Sequence, residues 1–138
     1  MYAPQFRLKA FETLDVQSKF QVLRALLEAL TMADCWYLRA HPATPRLYES
    51  GVRYLEEAPG VDEWQDIPDT LARRSGDCED LACWRVAELR MNGEPNATHE
   101  ISVDDLPDQT GQIVTTYHIF VRRGDGSHED PSRKLGMP

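Results

Sequence analysis

Cysteine is scarce in this sequence: three residues in 138, Cys35, Cys78 and Cys83. An odd number without paired spacing excludes a disulfide framework and fits a reducing compartment. The close Cys or His pairs from which zinc sites are built are missing too, so neither a metal nor a cofactor is expected. Positive charge is also short, with 15 basic residues against 23 acidic ones and a formal net charge of -8. Such a surface repels a phosphate backbone, which excludes nucleic acid and anionic membrane as partners. No uncharged run reaches the ~18 residues of a membrane span. Residues 1–7 lack a basic start followed by an apolar stretch, so the expectation is a soluble, non-exported, cytoplasmic chain. Asn96-Ala97-Thr98 matches a glycosylation acceptor, but without an export signal the match is read as chance. There is no internal repeat, low-complexity tract or linker.

An apolar fraction of 41% and three tryptophans fit a single globular domain over residues 1–138. Residues 1–15 show no clear period and are expected to form an arm or short strand, with Phe6, Leu8 and Phe11 free to dock. From Gln17 apolar residues recur at three or four positions, through Phe20, Leu23, Leu27 and Leu30, joined by Ala29, Ala33 and Trp36. That predicts a core helix over 17–39, ended by His41-Pro42. Thr44-Pro45 reads as a cap with proline in the first turn, and Leu47, Tyr48, Gly51, Val52 and Leu55 as one face of a second helix closed by Pro59-Gly60. A short third helix follows over 66–74, stopped by Ser75-Gly76. The fourth, over 78–91, has Asp77 or Cys78 as its cap and Asp80 able to reach back as in a capping box. It ends at Asn92-Gly93 and leaves only Arg85, Glu88 and Arg90 as exposed candidates, so it is buried.

Past Gly93 the period changes to that of strands. Residues 98–103 make one strand, 104–112 a polar loop, 113–122 the strongest strand, and 127–130 a returning strand. Helices (17–92) followed by a small antiparallel sheet (97–135) define an α+β domain.

Cys78 stands at the start of the fourth helix, where free amides and the helix dipole favour a thiolate. Asp77, Glu79 and Asp80 oppose that effect, since neighbouring negative charge raises a thiol pKa. A thiolate nucleophile needs a histidine to carry protons and a third group to orient it. His118 lies in the strongest strand. With a two-residue Asp125-Gly126 turn, Asp130 would fall opposite Val121, on the wrong face. With a three-residue loop, 124–126, and Gly126 left-handed, Asp130 lies opposite Phe120, diagonal to His118 and on its face. The three-residue loop is therefore expected. Taken alone, cysteines in apolar helices are more often small core residues, the reading given to Cys35 and Cys83. His128, at a hairpin end, reads as solvent-exposed, and Asp80 as a cap rather than a reacting group.

The combination of Gly76-Asp77-Cys78-Glu79-Asp80-Leu81-Ala82, Tyr117-His118 and the segment from Asp125-Gly126-Ser127 to Asp130-Pro131-Ser132 resembles the transglutaminase-like branch of the papain-like cysteine peptidase superfamily. The closest resemblance is to its small bacterial and phage-encoded members, and it spans residues 64–135. It implies a nucleophile-bearing helix packed on an antiparallel sheet, with Cys78 as nucleophile, His118 as general base and acid, and Asp130 as orienting carboxylate. The reaction implied is acyl transfer at an amide of a protein or peptide, to water in hydrolysis or to an amine in crosslinking. The Cys78 amide is the expected oxyanion donor. Gln65, Trp64 and Asp77 are further candidates for the oxyanion or substrate, Gln65 and Trp64 being equally readable as ordinary surface and core residues. A phage origin would make the host cytoplasm or virion the location and viral structural proteins the partners. It also carries a second reading, a virion or assembly component using the fold as a binding module.

Overall fold

The computed structural model describes residues 3–58 and 62–138; the helix stop expected at Pro59-Gly60 lies outside them. Residues 3–10 make no helix or strand and a 3-10 turn spans Phe11–Thr13. Phe6 and Leu8 remain 79% and 49% exposed, so the expected arm does not dock through them.

Helix α1 spans Val16–Ala40, its start fixed by Asp15, whose Oδ1 accepts from the Ser18 amide at 2.8 Å. It buries a narrow line, Leu23, Leu27, Thr31 and Asp34, while Trp36 is 64% exposed. The broad apolar stripe expected from sequence is thus split, with Ala29, Ala33 and Trp36 facing outward.

No second long helix follows. Residues 47–55 instead make a 3-10 turn, Leu47–Glu49, and a short strand β1, Arg53–Tyr54. Gly51 has φ +80°, a conformation that ends helical continuation, and the Ser50 hydroxyl turns back to the Leu47 carbonyl. Leu47 and Val52 still reach the core. Helix α2, Ile67–Arg73, has Asp66 as its cap and Arg74 left-handed at its end. The next residues form β2, Ser75–Gly76, paired in parallel with β1.

Helix α3, Cys78–Met91, has Asp77 and Asp80 in a capping box and packs against α1 and the sheet. A Cβ on Gly76 would sit 3.1 Å from Asp80 Cβ and 3.2 Å from Leu81 Cδ2, so a side chain there would push on the first turn of the helix. Glu88 is a correction. It is 4% exposed, because its carboxylate accepts from the Leu47 amide at 2.8 Å and the Trp84 indole at 3.1 Å, and from Arg85 at 3.2 Å.

Strands β3, Thr98–Pro107, and β4, Ile113–Arg122, form an antiparallel ladder along their whole length, and β5, His128–Glu129, adds to β4. Residues 104–107, expected in a loop, are strand. The Asp108 Oδ1 accepts from the amides of Thr110 (2.8 Å) and Gln112 (3.0 Å), which shortens the turn. Ile119 and Val121 on β4 pack with Leu27, Ala82, Cys83 and Val86 in one core cluster; Leu81 and Trp84 join Leu47, Val52, Ile67 and Leu135 in another. Helix α4, Pro131–Lys134, follows β5. The architecture is α+β, a three-stranded antiparallel sheet and a two-stranded parallel one with four helices among the described residues. No helix among them is long and apolar enough to cross a membrane.

Candidate functional site

The hairpin loop sets the first pair. Arg123 N donates to Ser127 O at 2.7 Å, and β4 and β5 pair as Val121↔Glu129 and Arg122↔His128. This is the register of a three-residue loop, and Gly126 takes the left-handed conformation it requires, φ +88°. The same count carries Asp130 to the level of Phe120. His118 Nε2 is 2.8 Å from Asp130 Oδ2, the diagonal contact expected from side-chain parity. Asp130 also caps α4, accepting at Oδ1 from the Arg133 amide at 3.4 Å. On the same face His118 stacks on Phe120, centroids 6.0 Å apart, and Phe120 meets His128 edge-on at 5.3 Å. His128 is exposed, as read from sequence.

Cys78 reaches this region from the other side of β4. It belongs to the core cluster of Ile119 and Val121, and the Ile119 backbone favours its thiolate against the influences that oppose it. Ile119 is the neighbour of His118 and lies just past the last β4–β5 ladder pair. Among the described residues no hydrogen bond joins the Cys78 thiol to the His118 imidazole. The thiol donates instead to Glu79 Oε2 at 3.4 Å. Burial first, then the charges of Glu79 and Asp77, push the Cys78 thiol well above its ordinary range. With 8% of its surface exposed, Cys78 is a shielded thiol.

The oxyanion candidates are engaged elsewhere. The Cys78 amide donates to Asp77 Oδ1 at 2.7 Å. Gln65 is buried, and its Nε2 donates to the Ser75 carbonyl at 3.0 Å, holding β2 in place. The Trp64 indole donates to Asp62 Oδ1 at 2.8 Å, while its ring packs on the first core cluster. Asp77 has its carboxyl raised, by burial above all and against the hydrogen bond from the Cys78 amide.

Cys83 and Cys35 lie apart from this site. Cys83 is fully buried, 3.7 Å from His99 Nε2, and Cys35 is half-buried on α1. Burial raises both thiols. The burial of Glu79 and Asp80, 5% and 2% exposed, escaped the sequence reading. The one signal for it was an acidic cap followed by two acids in the first turn of a helix apolar on every side.

The chain matches no protein-family model, no curated protein and no solved structure. Its chemistry therefore rests on its own residues.

Proposed function

We propose that this protein is a cysteine-dependent acyl-transfer enzyme of the transglutaminase-like kind, acting at an amide bond of a protein or peptide through Cys78, His118 and Asp130. The observation that carries the reading is the 2.8 Å bond between His118 Nε2 and Asp130 Oδ2 on the strand whose next residue, Ile119, packs in the same core cluster as Cys78. With Asp130 accepting from Nε2–H, Nδ1 is the nitrogen left to take a proton, and the carboxylate stabilises the imidazolium that forms. In this mechanism the Cys78 proton passes to His118 and the sulfur adds to the amide carbonyl. The tetrahedral species collapses as His118 protonates the departing amine, leaving a thioester on Cys78. Water or a second amine, deprotonated by His118, then releases the acyl group and restores the thiol. Substrate binding must draw the thiol from Glu79 to within reach of the His118 imidazole, and free the Cys78 amide from Asp77 before that amide can serve the oxyanion.

A second reading has its own support in the burial of Cys78 and its bond to Glu79: the fold serves as a protein-binding module, for instance in a virion, without turnover. Acyl-enzyme trapping with a peptide library, compared between wild type and Cys78→Ala, separates the two. A thioester-linked mass on wild type alone supports the enzyme; an unmodified wild type supports the module.

A further inference from the structure

The start of α3 also gathers carboxylates, among them the Glu79 that holds the Cys78 thiol through Oε2. Oxygen atoms of Glu57, Glu79 and Asp80 lie within 4.8 Å of one another. Asp80 is held by the protein at both oxygens, its Oδ1 accepting from the Gln65 amide at 2.7 Å and its Oδ2 from the Asp77 amide at 2.9 Å, one bond to each. Glu57 Oε2 accepts from the Glu63 amide at 2.8 Å. Glu79 is different. It is 95% buried, being 5% exposed; one of its oxygens belongs to this group, and while its Oε2 accepts from the Cys78 thiol, its Oε1 has no partner. Leaving a buried carboxylate oxygen unpaired costs several kcal/mol unless something else satisfies it.

No basic side chain supplies the missing charge. Among the described residues no Lys, Arg or His forms an ion pair with Glu57, Asp77, Glu79 or Asp80. Arg73, which lines the same cleft, is turned to Glu63 and Asp69. Burial, with the mutual repulsion of these acids, raises Glu79 and Glu57 and lifts Asp80 to about 7. Two kinds of species relieve such a cluster: shared protons or a hard cation. A cleft of about 230 Å³, lined by Glu57, Asp77, Asp80 and Gln65, reaches two members of the group, Glu57 and Asp80, with Glu79 buried behind them.

We propose that Glu57, Glu79 and Asp80 form a binding site for a hard divalent cation, Ca²⁺, with Glu79 Oε1 as the ligand left for it. The donors are all carboxylate oxygens, the set such ions prefer over sulfur or imidazole. Calcium–oxygen bonds of about 2.4 Å put opposite ligands about 4.8 Å apart, the upper bound of the spacing here. The ion would tie the segment after β1, through Glu57, to the first turn of α3. This inference stands whether or not Cys78 is catalytic.

The test is thermal unfolding and titration calorimetry of the full chain with CaCl₂, against NaCl at matched ionic strength. The site gives a saturable heat with one ion per chain, and Tm rises by several degrees (roughly 5–10 °C) when calcium is at 100 times its Kd. Glu57→Gln, at a partly exposed position, keeps its fold and calcium-free Tm but loses the response. Glu79→Gln loses it too and, relieved of a buried charge, matches or exceeds the calcium-free Tm of wild type. Should Glu79→Gln fail to fold, Glu57→Gln decides alone. An unchanged wild-type Tm in calcium, or a full response in Glu57→Gln, overturns the site and leaves shared protons as the explanation.

Discussion

Arg85 on α3 and Glu129 on β5 form a part-buried ion pair, with Arg85 Nη2 3.4 Å from Glu129 Oε1 and the Arg85 Nε bonded to Oε2. Tyr48 and Arg123 donate to the same carboxylate. The helix that begins with Cys78 and the strand that leads to Asp130 are therefore fixed to each other by one acidic side chain.

Breaking that pair exposes its cost. Glu129→Ala leaves the Arg85 charge, 14% exposed, without its main partner, and is expected to destabilise the fold by about 3 kcal/mol. The double change Arg85→Met, Glu129→Leu removes both charges but also takes Arg85 from the buried Glu88, so it should recover part of that loss. Urea denaturation of wild type and the two variants checks this; equal losses in the single and double variants would count against the ion pair as the cause.

Glycine matters at one end of the hairpin more than at the other. At Gly126, φ +88°, Gly126→Ala should cost about 1 kcal/mol in backbone strain alone, since an added Cβ meets nothing within 4 Å. At Gly124 an added Cβ makes ordinary contact with Glu94, 3.7 Å away, so Gly124→Ala should be neutral or stabilise by about 0.5 kcal/mol. Equal costs at both positions in denaturant melts would contradict the loop geometry.

His99 gives the pH prediction. Burial lowers its imidazole to about 4, and Nε2 is hydrogen-bonded to Thr31 Oγ1 at 2.7 Å. The unfolded chain then binds a proton that the folded one refuses, so stability tied to His99 is full above about 6.5 and is lost as pH falls toward 4. The shift is on the order of 3 kcal/mol at completion. Asp80, raised to about 7 by burial, acts in the opposite sense: its contribution is full below about 4 and is lost as pH rises through 7. NMR titration isolates His99, whose ring resonances should stay neutral down to pH 5; a midpoint near 6.5 would contradict its burial.

Asp130 carries two roles that one substitution can divide. Asp130→Asn keeps an acceptor for the Arg133 amide, so α4 and overall stability should change by less than about 1 kcal/mol. It removes the carboxylate from His118, and amide turnover, under the proposed function, should drop by about 10²–10⁴ in kcat. A variant that keeps full turnover would remove Asp130 from the mechanism.

The later half of the chain was the easiest to read from sequence. Helix 78–91 was legible because Gly76 and Asn92-Gly93 punctuate it, and strand 113–122 because β-branched and aromatic residues crowd it. The hairpin register followed from parity, since only one loop length puts Asp130 on the face of His118. Residues 44–55 misled because Leu47, Val52 and Leu55 are spaced as on a helix while Gly51 turns the chain out of one; spacing records which residues are buried, not the backbone that buries them. Burial of Glu79, Asp80 and Glu88 was hidden for another reason. None is set by its local pattern: Glu88 depends on the Leu47 amide and Asp80 on the Gln65 amide, while Glu79 keeps one oxygen without a partner. The partner of the Cys78 thiol was equally invisible, because the sulfur bonds to its own neighbour, Glu79, and not across to the strand.

The most direct measurement of the central claim is site-resolved mass spectrometry after brief exposure to a peptidyl chloromethyl ketone near neutral pH. The account predicts an adduct on Cys78 ahead of the more exposed Cys35 and the buried Cys83, lost in His118→Ala while the fold remains intact. Labelling that follows exposure, with Cys35 first and Cys78 unreacted, would contradict it.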